Sequence, residues 1–73
     1  MLAFENEDRP GAISEVLEVL HRGGINVASV NVAPNKEQPG WALCFMSLDD
    51  DVPKKYMQAL GRLELKSLCK IGL

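Results

Sequence analysis

Excess positive charge, cysteine, histidine and long apolar runs are all scarce in this 73-residue chain, and each scarcity removes a class of protein. Eight basic residues against ten acidic ones leave a net charge of −2. A general nucleic-acid binder carries a basic excess that neutralises phosphates, so no nucleic-acid partner is expected. No apolar run approaches the roughly 18 residues that cross a bilayer, so no membrane partner is expected either. The first residues lack a basic segment followed by an apolar one, so no secretory signal is visible. Cys44 and Cys69 are too few for a disulfide scaffold, and the expectation is two reduced thiols in a cytoplasmic protein.

Catalytic and metal-binding patterns are equally sparse. His21 is the only histidine, and no serine or cysteine has an evident base partner close in sequence. No catalytic residue is assigned. The two cysteines are 25 positions apart, which is not the short Cys-x-x-Cys loop of a soft-metal site. Asp49-Asp50-Asp51 lacks the alternating ligands and turn glycine of a calcium loop. No metal and no cofactor are expected. Base stacking on Trp41 and Phe45 is disfavoured as well, because their segment carries no Lys or Arg.

What is present is an ordinary small globular composition, 47% hydrophobic and 25% charged. A chain of this length buries only about 60% of its unfolded surface, so oligomerisation or attachment to a larger protein is expected. Residues 1–5 are mostly apolar and predict a first strand, with Asn6 to Pro10 as the loop that ends it. Ile13, Val16, Leu17 and Leu20 then recur at helical spacing, and Gly23-Gly24 closes that helix. Ile25 to Val32 predicts a second strand, Pro34 to Gly40 a hairpin loop, and Trp41 to Leu48 a third strand. That third strand is apolar on both parities and so is expected at the centre of a sheet. Asp49 to Pro53 signals a second helix, continued by Tyr56, Met57, Leu60 and Leu63. Leu65 to Leu73 predicts a last strand, with Leu65, Cys69, Ile71 and Leu73 on one parity. Both cysteines are thereby expected in strands as small core residues.

The order is strand-helix-strand-strand-helix-strand. It predicts an α+β, ferredoxin-like βαββαβ domain over residues 1–73, a four-stranded antiparallel sheet with two helices on one face. Such a fold decides no function by itself. Two segments stand out: Asn6-Glu7-Asp8-Arg9-Pro10-Gly11 and, one helix later, Gly23-Gly24-Ile25-Asn26-Val27. A loop entering a helix N-terminus presents free N–H groups and partial positive charge to a carboxylate. Asp8 can meet an ammonium group, or it can cap the helix. Asn6 and Asn26 can both donate and accept, and Asn26 can equally bond its own turn.

With these segments the chain resembles the ACT domains, small βαββαβ modules that bind amino acids and regulate metabolic enzymes. It looks most like those of D-3-phosphoglycerate dehydrogenase and bacterial L-serine dehydratase, whose motif is His-x-Asn-x-Pro-Gly with an Asn opening the second strand. Asn6 stands where that motif has His and Asp8 where it has Asn. Pro10, Gly11 and Asn26 match. The resemblance implies a ligand site built from Asn6, Asp8, Pro10 and Gly11 of one domain and Asn26 of its neighbour. It implies an amino-acid effector, serine or another small amino acid, and a homodimer or higher oligomer. The alternative is a dimerisation or docking module of the same fold without the pocket.

Overall fold

The computed structural model describes residues 1–71. Six elements follow in order: β1 (Leu2–Glu7), α1 (Ala12–Arg22), β2 (Val27–Pro34), β3 (Trp41–Leu48), α2 (Lys54–Gly61) and β4 (Leu65–Lys70). The strands form one antiparallel sheet in the order β2-β3-β1-β4. This is the expected ferredoxin-like arrangement, with β3 and β1 at the centre and β2 and β4 at the edges.

The core lies between the sheet and the helices. Leu2 and Phe4 of β1 sit opposite Met46 and Cys44 of β3, and all four are buried with Val16, Val19, Leu20 and Leu60 from the helices. Period-two alternation puts these strand residues on one face. Helix α1 holds Glu15 in its first turn and His21 and Arg22 in its last, the charge order that its dipole favours. Its end follows the two-glycine signal: Gly24 takes φ +67°, and its N–H donates to the His21 carbonyl at 3.0 Å. Gly23 serves packing instead, since a Cβ there would stand 3.1 Å from the Tyr56 ring of α2.

Several boundaries differ from the sequence reading. Strand β1 runs on to Glu7, so Asn6 lies in the sheet and not in a loop. Its ladder partners Ala42 and Leu65 extend the strand through a polar stretch that reads locally as a turn. Ile25 is core but precedes β2, which begins at Val27 and continues through Pro34. Pro34 is tolerated at the end of an edge strand, where its missing N–H breaks no interior ladder. No acid occupies the first turn of α2, whose N-cap is Pro53. Asp51 pairs with Lys70 instead, at 3.3 Å.

The last strand holds the clearest correction. Ser67 adopts φ +54° and the β1–β4 register shifts between Ala3 and Glu5. That irregularity changes which residues face inward. Leu65 and Leu68 pack on the core, while Cys69 is exposed. Cys44 is buried, and burial pushes its thiol pKa up. A folded-state pKa above the unfolded one contributes stability that is full below the ordinary thiol range and is lost as pH rises from that range through the raised folded-state value. One thiol, Cys69, should therefore react with a disulfide reagent promptly in the native protein, and Cys44 only on unfolding. Two equally fast thiols would contradict this placement. Leu73, expected on the same strand, lies outside the described residues.

Candidate functional site

The segment from Asn6 to Gly11 carries chain from the sheet to the start of α1. Its first residue is the only polar side chain in the core of the described residues: Asn6 is 3% exposed. The amide Nδ2 donates to the Glu7 carbonyl at 2.8 Å. Its Oδ1 is buried without a partner among the described residues. An unpaired buried acceptor costs about 1–3 kcal/mol, so a group kept in this state calls for an explanation.

The loop itself is well tied. The Asp8 N–H donates to the Gly40 carbonyl at 2.9 Å, joining the loop to the β2–β3 hairpin. The Arg9 guanidinium reaches Glu7 at 3.4 Å and Glu15 at 3.2 Å, bridging the strand end to the first turn of α1. Gly11 is the N-cap at φ +86°, a conformation that strains any residue with a Cβ. No side chain caps the helix. Asp8 is exposed and does not cap α1, which removes one of its two readings. The Ala12 N–H donates to the Arg9 carbonyl at 3.3 Å, and the N–H groups after it form a partially positive end that no side chain caps, a few residues along the chain from Asn6 and Asp8.

Asn26 is elsewhere. Pro34 pairs with Ala42, which pairs with Asn6, whereas Val27 pairs with Leu48 at the far end of the sheet. Seven residues of strand separate these ends by roughly 23 Å. Within one chain Asn26 therefore lies far from the loop containing Asn6, Asp8, Pro10 and Gly11. Its side chain donates to the Asp49 carboxylate, and its carbonyl accepts the Asp49 N–H at 3.0 Å. Asn26 does bond a turn, the one leading from β3 toward α2.

Sequence reasoning missed two participants. Arg9 is the residue that clamps the loop, and Glu15 six positions later is the signal that pointed to it. Asp49 is tied to Asn26 across 23 positions, and nothing local announces that pair. The arrangement suits recognition and supplies no nucleophile–base pair. Among the described residues no group of three metal-ligating side chains is gathered.

No curated protein matches the chain. A family description, ACT domain, matches residues 1–64, from β1 to the end of α2 and the turn beyond it. With that match over most of its length, the chain belongs to the ACT domain family, whose members are non-catalytic regulatory domains that generally bind amino acids.

Proposed function

We propose that this domain senses serine or an amino acid of similar size across the interface of a homodimer. It then passes occupancy to an attached cytoplasmic enzyme of amino-acid metabolism, of the D-3-phosphoglycerate dehydrogenase or L-serine dehydratase type. The observation that carries the reading is the buried, unpartnered Oδ1 of Asn6 close in the chain to the uncapped end of α1. An α-amino acid brings the complementary groups. Its carboxylate suits the first-turn N–H groups after Ala12 and its ammonium suits Asp8, and a donor on the ligand satisfies Asn6 when the loop shifts to uncover the buried Oδ1.

The partner supplies what one chain lacks. Strand β2 is an eight-residue edge without a single charge, and Val30 and Val32 stand 39% and 52% exposed on it. The other edge, β4, carries Lys66, Lys70 and the irregularity at Ser67, the usual devices against pairing. Two β2 strands pairing antiparallel about a twofold axis through Asn31 bring Ala28 of the partner subunit opposite Pro34 and Val30 of the partner subunit opposite Val32. Asn26 of the partner subunit then lies at the Asn6 end of the sheet, where it exchanges Asp49 for the ligand. Occupancy ties the two domains together, which is the coupling an effector needs.

A second reading, dimerisation without a ligand, is favoured by the Asp49 contact that already occupies the Asn26 amide. A thermal-shift series with the twenty amino acids separates the two, because a bound ligand raises stability by mass action. One small amino acid should raise the melting temperature. Asn6→Leu removes the orphan acceptor, so the ligand-free protein should be at least as stable while the response disappears. Asp8→Asn should keep the fold and weaken the response. No shift with any amino acid would leave only the dimerisation reading.

A further inference from the structure

We propose that the cleft between α1 and α2 is a second ligand site, for a small organic anion carrying two negative charges. Helix α1 contributes Val19 and Arg22, α2 contributes Lys55, Tyr56 and Ala59, and Arg62 caps the end of α2. Together they enclose a 370 Å³ cleft on the helical side of the molecule, away from both the α1 N-terminus and β2. That volume is at the lower end of small-molecule sites. Val19 and Ala59 give it an apolar floor, and the Tyr56 ring gives it a wall.

Its charge is the unusual part. The chain is net acidic, yet its charges are segregated. Residues 1–51 hold nine acids and three bases, and residues 52–73 hold five bases and one acid. No carboxylate lines this part of the groove between the helices, and Glu15 and Glu18 line its continuation on the other side of Val19, Arg22, Ala59 and Arg62. Lys55 and Arg62 are seven positions apart, two helical turns, and share a face. Neither makes an ion pair among the described residues. Lys55 Nζ lies 5.6 Å from the centre of the Tyr56 ring. Arg22 has one partner, Glu18 at 3.3 Å, on an exposed face where such pairs are weak. Two unpaired cations and a third loosely held one match a divalent anion, and the guanidinium forks suit the paired oxygens of phosphate or carboxylate. The apolar floor and the ring take the organic part. A phosphate monoester and a dicarboxylate share this chemistry.

The test is a titration of the full chain followed by amide NMR, with phenyl phosphate, succinate and inorganic phosphate as probes against sodium chloride of equal ionic strength. One of the two organic anions should saturate, with shifts confined to Arg22 and to residues 55–62. The stronger probe identifies the phosphate or dicarboxylate source. K55Q/R62Q should bind that probe at least tenfold more weakly, and K36Q, on the distant hairpin, should bind it unchanged. Both variants alter exposed side chains, and the Arg62 N–H keeps its bond to the Ala59 carbonyl, so their melting temperatures should stay near that of the parent. Equal binding in K55Q/R62Q and K36Q, or no saturation beyond the chloride control, overturns the proposal. So does saturation by a hexaglutamate peptide alone, which would make the cleft a protein-docking surface.

Discussion

Val32→Lys should convert the protein from dimer to monomer at micromolar concentration and abolish its amino-acid response in the same step. Val32 is 52% exposed at the sheet edge. A lysine there keeps its ammonium in water in the single chain, so the monomer fold survives. In the proposed dimer the two lysines lie diagonally across the twofold axis, about 7–8 Å apart at Cβ, in a strand pairing that otherwise has no charge, and each replaces a valine that packs against Val30 of the partner subunit. Like charges at that spacing together with the lost apolar contact should lower dimer affinity by roughly one to two orders of magnitude. Sedimentation equilibrium on both proteins reads the first effect, and the thermal-shift response reads the second. A parent chain that is monomeric, or a Val32→Lys variant that still dimerises, would remove the basis for a shared site. A dimer that is lost while the response persists would place the ligand within one chain.

The second large effect is in the core. Leu20 is fully buried where α1 meets the sheet. Truncation to alanine removes apolar contacts and leaves a cavity, at a cost of about 2–5 kcal/mol. A domain of this size has a total stability of roughly 4–11 kcal/mol. Leu20→Ala should therefore lose a large fraction of that stability, seen as a fall in the urea midpoint with little change in slope. Both proteins must be compared at one protein concentration, because dimerisation contributes to apparent stability. A variant within about 1 kcal/mol of the parent would contradict the packing described.

Much of the architecture was legible because it rests on local periodicity. Strand β3 runs from Trp41 to Leu48 as its valley between a hairpin loop and an acidic turn predicts. Its central position follows from apolar residues on both parities, although Phe45 remains exposed on the uncovered face. The helical period of Ile13, Val16, Leu17 and Leu20 announces α1 and the glycine pair ends it, but its buried face is rotated toward Ala12, Val16, Val19 and Leu20, with Ile13 and Leu17 only half-buried at its margin. The candidate site residues follow from residue type and position alone. Pro10-Gly11 marks a turn into a helix, and the left-handed conformation of Gly11 is what that motif requires.

Three features were not legible, each for a different reason. Asn6 sits in a polar run that reads as a loop, and only ladder pairing with Ala42 and Leu65 carries it into the sheet and under cover. Simple alternation places Cys69 inward, but the irregularity at Ser67 turns Leu68 to the core and leaves Cys69 exposed. Asp8 reads as a helix cap from its type and position, yet Gly11 holds that position with no side chain bonded to the helix.

The sequence by itself determined the order of the elements, the helical and strand periods of α1 and β3, and which residues to consider as ligands. Hydrophobic period and turn chemistry act over a few neighbours, and those are written in the chain. Tertiary structure alone decided that Asn6 is buried with a free acceptor and that Asn26 lies at the opposite end of the sheet. It also decided that Arg22, Lys55 and Arg62 surround one cleft, whereas the edge position of β2 already follows from the predicted strand topology. Each of these depends on which strands pair and how two helices lie together, contacts between residues far apart in sequence that no local pattern encodes.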